Sequence, residues 1–269
     1  MEQHWEFDGE PAGAAALGEV LGGYGHFTYM QVRDRSVRGL DLHLERLERA
    51  TRELFGRGLD SARVLSYVRR ALENSGRGAA ASVRVQVVPA DPAAVHAGAT
   101  AEPRVLVAVR PPAQPAAAAQ RLRTVEYERL LPHLKHLDTM GLVHHARQAR
   151  RDGFDDVLFT DRHGHITESS LANVVLHDDH GFVWPDSPAL PGIMRGLLRR
   201  GLAKLDVPVR DRTLRPAELA GFRSMFLTNS VTPAQPVASV DEVLFTVEES
   251  ARSTLWRAYE ANPWDSLGC

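Results

Sequence analysis

Residues 27–32, FTYMQV, and the short segment 37–39 flank the polar run RDRS at 33–36. That pattern predicts a β-hairpin. Asp41 then stands where a helix N-cap belongs. Leu44, Leu47, Thr51, Leu54 and Phe55 recur at helical spacing up to Gly56. A second helix is predicted over 60–74. The valine-rich runs 82–88 and 105–110 read as strands, with 89–103 as a long loop between them. Strand, strand, helix, helix, strand, strand is the order of an α+β layer.

The run PPAQPAAAA at 111–119 is too proline-dense for a helix and nearly free of charge. It predicts a domain at 1–112, a linker at 113–119 and a second domain at 120–269. In the second part, 137–151 has helical period. Short strands are predicted at 157–160, 166–168, 173–176 and 182–184, separated by the turn signals DRHG and DDHG. A helix at 193–205 is entered through Pro191-Gly192, strands follow at 207–212 and 224–227, and a helix over 248–261 closes the chain. This strand-rich order predicts a barrel-like domain rather than a doubly wound sheet.

The 32 basic and 34 acidic side chains leave a net charge of -2, which disfavours a dedicated nucleic-acid binder. No apolar run approaches the ~20 residues that span a bilayer. The start, MEQHWEFDGEPAG, lacks the pattern of a secretory signal. The single cysteine, Cys269, excludes an internal disulfide framework, and a cytoplasmic location is the expectation. The sequence contains no GxGxxG after a strand, no GxxxxGK[ST], no HExxH and no GxSxG. His133, His136, His144 and His145 lack metal-ligand spacing, so no metal is expected.

Lysine is scarce: only Lys135 and Lys204 occur among the basic residues. Arginine meets most needs for surface charge but cannot serve as an amine nucleophile; lysine can. Lys135 lies in LLPHLKHLDTMG, while Lys204 sits on an arginine-rich helix and is expected to face solvent. Downstream, TESSLAN places Glu168 at a strand end. PGIMR opens a helix behind a glycine, where free N–H groups and the dipole favour phosphate. Thr228-Asn229-Ser230 adds hydroxyls and an amide at another strand end. An amine, a carboxylate, a helix N-terminus and hydroxyls are what pyridoxal 5'-phosphate requires.

In order and spacing these segments resemble the class IV aminotransferases, which are fold-type IV pyridoxal-phosphate enzymes. The family includes branched-chain and D-amino acid aminotransferases and 4-amino-4-deoxychorismate lyase. GYGHFTYMQV is similar to its first hairpin strand, HLERL to its phosphate-gripping helix, and LKHLD to its Schiff-base segment. GFDDVLFTDRHGHITESSLANVV, GIMR and TNSVTPAQPV resemble the cofactor-ring strand, the phosphate loop and the last phosphate strand. The resemblance implies a small N-terminal α/β sandwich and a larger C-terminal barrel-like domain. It places Lys135 on the Schiff-base lysine, Glu168 on the carboxylate at the pyridine nitrogen, and Arg46, Ile193, Met194 and Ser230 on the phosphate. Asn173 falls beside the cofactor, and Thr28 and Asn229 take catalytic positions. It also implies a homodimer acting on small amino acids and 2-oxo acids.

Two activities fit. Thr28 after GYGHF, the KHL triplet and the Ala172-Asn173 pair lean towards the lyase. The lyase pattern, however, places an arginine in a glycine-rich segment after the strand at 82–88, and this chain has PADPAAVHAG there. The usual first strand is also replaced, by AGAAALGEVLGG. Arg129 and Arg104 are the candidates to hold a substrate carboxylate instead. An aminotransferase is therefore the leading expectation, with a pyruvate-releasing lyase as the alternative. A catalytically silent phosphate-binding domain is a third reading, which Lys135 and Glu168 disfavour.

Overall fold

The computed structural model describes residues 3–13 and 23–268. Most of the AGAAALGEVLGG segment therefore lies outside the described residues. In chain order the strands are β1 (His4–Phe7), β2 (Glu10–Pro11), β3 (His26–Arg33), β4 (Ser36–Val37), β5 (Ala80–Pro89), β6 (Pro103–Arg110), β7 (Gln120–Glu126) and β8 (Asp156–Thr160). They continue with β9 (Ile166–Ser169), β10 (Asn173–Asp178), β11 (Gly181–Pro185), β12 (Val209–Arg212), β13 (Ser224–Thr228), β14 (Gln235–Val240), β15 (Val243–Leu244) and β16 (Asp265–Ser266). The helices are α1 (Leu40–Phe55), α2 (Ser61–Asn74), α3 (Pro92–His96), α4 (Met140–Arg151), α5 (Ile193–Lys204) and α6 (Glu249–Glu260). The chain forms two compact units. The first is Met1–Ala113 with Leu134–Asp138 and Trp264–Cys269, and the second is Gln114–His133 with Thr139–Pro263.

The first unit is a seven-stranded sheet in the order β16-β4-β3-β5-β6-β1-β2, antiparallel throughout. Strict alternation along β3 buries His26, Thr28, Met30 and Val32 on one face. Val83, Val85, Val87, Val105, Val107 and Val109 extend that face and meet Leu47, Phe55, Val64, Val68 and Leu72 from α1 and α2. Burial of each such side chain stabilises the layer by about 1.5–3 kcal/mol. Asp41 is not the N-cap of α1. Gly39 holds that position at φ 70°, and Asp41 falls in the first turn, where it still complements the helix dipole. The Leu40 N–H is capped from β16 by Asp265 Oδ2 at 3.1 Å. The expected 89–103 loop contains α3, entered through Asp91, whose side chain accepts from the Ala93 and Ala94 N–H groups.

The second unit is built on a closed barrel. Strands β10, β13, β14, β7, β8 and β9 pair in succession, and β9 pairs back to β10. β11 and β12 extend it from β10, and β15 extends it from β14. Two barrel strands, β7 and β14, were not expected from the sequence. β7 reads QRLRTVE and buries little beyond Leu122, while β14 carries Pro236. Both owe their place to long-range pairing, β7 lying parallel to β8 and to β14. α5 crosses α6 so closely that a Cβ on Gly201 would lie 1.8 Å from the Ala258 carbonyl oxygen.

Candidate active site

The helix expected over 137–151 begins only at Met140, and in the first unit residues 134–138 run in non-helical conformation. Phe27 N–H donates to Lys135 O and Leu137 N–H donates to Gly25 O, both at 2.9 Å, so the segment bridges the start of β3. Gly25 permits this approach, because a Cβ there would sit 2.5 Å from Val87 O and 2.9 Å from Leu137 Cδ1. The Lys135 Nζ lies over the Phe27 ring, 4.9 Å from its centroid. The Arg84 guanidinium lies 4.1 Å from the same centroid. Burial and the charge of Arg110 both pull the Arg84 pKa down.

Behind β3, two hydrogen bonds tie the sheet to α1. His26 pairs with Thr51 Oγ1 through Nε2 at 2.9 Å, and Thr28 Oγ1 pairs with His43 Nδ1 at 2.6 Å. Arg46, one turn on from His43, is buried on the same helix face. Thr28 is thus enclosed between β3 and α1. Burial lowers the pKa of each imidazole to about 3, with the charge of Arg46 adding to the effect at His43 and Asp41 opposing it. In the unfolded chain the same groups titrate near 6.5. Between pH 6.5 and 3 the unfolded chain therefore binds protons that the folded unit excludes. The stability these histidines contribute is complete above pH 6.5 and falls as the pH drops, by up to about 1.4 kcal/mol per pH unit for each. Urea unfolding from pH 7 to pH 4 checks this. The fall in midpoint should be shallower in His26→Gln than in the parent protein; equal slopes would contradict it.

In the second unit, register places Glu168 opposite Asn173 and Asn173 opposite Thr228. These three side chains therefore share one face across β9, β10 and β13. Glu168 Oε1 accepts from Arg129 Nη1 at 3.2 Å, and both side chains are nearly sealed, at 7% and 6% exposure. Its Oε2 accepts from the Leu190 N–H at 3.4 Å. The turn after β9 is held by Asp156, whose Oδ2 accepts from Ser170 Oγ at 2.9 Å. Desolvation pushes the Asp156 carboxyl up, against the hydrogen bond from Ser170.

Asn173 Nδ2 donates to Leu190 O at 2.8 Å and so holds the loop that enters α5. α5 starts at Gly192 with no side-chain cap, which leaves its first N–H groups for an outside acceptor. Ile193 and Met194 are buried there. A Cβ on Gly192 would lie 2.0 Å from Asn173 Oδ1. Gly192→Ala is therefore expected to break the Asn173–Leu190 bond and destabilise the unit by about 1–3 kcal/mol. Partial recovery in Gly192→Ala/Asn173→Ala, read by urea unfolding, checks that the clash is the cause. At the end of β13, Asn229 Oδ1 accepts from the Val231 and Thr232 N–H groups and shapes its own turn. Ser230 is half-buried in that turn, and Thr228 Oγ1 is buried without a hydrogen-bond partner among the described residues.

These features fit pyridoxal phosphate. The uncapped start of α5 and the orphan Thr228 hydroxyl suit an anion, and a sealed carboxylate beside them suits a ring N–H. Sequence reasoning did not single out Arg84, which lies in no motif, nor His26, His43 and Asp156, which lie inside GYGHFTYMQV, HLERL and GFDDVLFTDRHGHITESSLANVV but whose burial the sequence does not show. Arg104 is engaged elsewhere, paired with Asp8 at 2.8 Å. Tyr127, on the helix-facing side of β8, packs against Phe159 and His145. Lys204 is exposed, as expected, and donates to Ala261 O just past the end of α6.

Residues 25–240 match the family described as amino-transferase class IV, and the chain belongs to that family. A probable branched-chain-amino-acid aminotransferase of Thermotoga maritima is 33% identical over 105 residues, 38% of each chain. The branched-chain amino acid aminotransferase of Escherichia coli superposes with a TM-score of 0.82 at 17% identity, covering 100% of both chains. A putative 4-amino-4-deoxychorismate lyase of Legionella pneumophila superposes with a TM-score of 0.75 at 21% identity, covering 88% of this chain and 91% of its own. At these identities the structural matches establish the fold.

Proposed function

We propose that the protein is a pyridoxal-phosphate aminotransferase that moves an amino group between an amino acid and a 2-oxo acid. The observation that carries this reading is the Glu168–Asn173–Thr228 row beside the uncapped start of α5. In the reading, Lys135 holds the cofactor covalently. Arg46, Ser230 and the Ile193 and Met194 amides hold its phosphate, and Asn173 fixes the entry to α5. Glu168 accepts a hydrogen bond from the ring N–H. When bound, the cofactor supplies an electron sink for the substrate α-carbon. The Lys135 amine would be the group that carries the substrate α-proton. Thr28, through His43, and Asn229, through its turn, position these groups. A homodimer and a cytoplasmic location belong to the same proposal; among the described residues no helix is long and apolar enough to cross a membrane.

The lyase reading is supported by Thr28, the KHL triplet and the Ala172-Asn173 pair of the sequence. In it, the same lysine and carboxylate serve an elimination that releases pyruvate. Incubation with a panel of amino donors and 2-oxoglutarate tests the leading reading, with a new amino acid and keto acid expected in equal amounts. Pyruvate formed from aminodeoxychorismate without any acceptor would overturn it in favour of the lyase.

A further inference from the structure

Glu168 does not stand alone in the second unit. Its Oε1 receives Arg129 Nη1 at 3.2 Å, and the two side chains are among the least accessible charges in the unit. Arg129 lies three residues beyond β7, where the Tyr127 N–H still pairs with Thr160 O. From there its side chain returns to the end of β9. The Leu190 N–H reaches the second carboxylate oxygen. Each oxygen of Glu168 thus has a donor from a different segment, one of them permanently charged.

We propose that Arg129 is a positioning residue for Glu168: it holds the carboxylate ionised and oriented as an acceptor for the cofactor ring N–H. The inference rests on the pyridoxal-phosphate reading and deepens it. Arginine keeps its charge at every pH the protein meets, so the acceptor state of Glu168 is built in. A carboxylate sealed from water without such a partner takes up a proton instead. It then offers an O–H where the ring needs an acceptor. The same geometry separates this role from that of a substrate clamp, because Nη1 of Arg129 is already committed to Glu168 and the guanidinium is sealed.

Titration of the purified full-length protein with pyridoxal phosphate, read by visible absorbance, tests the assignment in a double-mutant cycle. Arg129→Gln is expected to weaken cofactor binding at least tenfold and to alter the absorbance of the bound cofactor. Arg129→Lys should recover binding to within about threefold, since it restores the charge. In a Glu168→Gln background, Arg129→Gln should add little, because the residue acts through Glu168. Unchanged affinity and spectrum in Arg129→Gln would overturn the proposal, as would a loss of equal size in the Glu168→Gln background. If Arg129→Gln does not fold, Arg129→Lys and its pair with Glu168→Gln close the same cycle. There, any loss in Arg129→Lys that persists undiminished in the Glu168→Gln background would overturn it. Parent protein that takes up no pyridoxal phosphate would instead sink the cofactor reading itself, and this assignment with it.

Discussion

Lys135→Ala protein should lose amino-group transfer by about 10³-fold or more, because one side chain serves as both covalent anchor and proton carrier. Its fold should survive. Lys135 is held on β3 by backbone bonds, Phe27 N–H to Lys135 O and Leu137 N–H to Gly25 O, and neither needs the amine. The amine itself rests over the Phe27 ring, a contact of about 0.5–1 kcal/mol at an accessible site. Turnover with amino donors, set beside a urea unfolding curve, checks both halves. An unfolding midpoint that collapses together with activity would show that the side chain is structural.

Glu168→Ala should damage the second unit severely. It removes the carboxylate that faces the sealed Arg129 guanidinium, and breaking a sealed pair in this way costs about 3–5 kcal/mol. It also removes the acceptor of the Leu190 N–H, loosening the loop into α5. The expected result is a much lower unfolding midpoint and weak retention of pyridoxal phosphate. Glu168→Gln keeps shape and one acceptor but does not restore the charge opposite Arg129, so it should recover only part of the stability and little of the activity. Equal stability in all three proteins, measured by urea unfolding, would mean that the pair is not sealed in solution.

The local patterns were the legible part of the chain. Two runs flanking RDRS announced β3 and its hairpin, valine runs announced β5 and β6, and apolar spacing announced α1. The motif segments put Glu168 at a strand end and a glycine ahead of α5. What stayed hidden depends on residues far apart in sequence. β1 exists because it pairs with β6, and β7 because β8 and β14 lie on either side of it. The α1 start was misplaced because its cap comes from Asp265, near the other end of the chain. Arg129 was weighed as a substrate clamp because sequence shows its charge but not its burial against Glu168. His26 and His43 looked like two more histidines until burial made them neutral links between β3 and α1.

Only two primary amines on side chains exist in this protein, at Lys135 and Lys204. That makes one measurement unusually direct. The protein is incubated with pyridoxal phosphate, reduced with borohydride, digested and mapped by mass spectrometry. The account predicts one stoichiometric phosphopyridoxyl adduct on the peptide containing Lys135 and none above background on that containing Lys204. An adduct confined to Lys204, or no adduct at all, would contradict it.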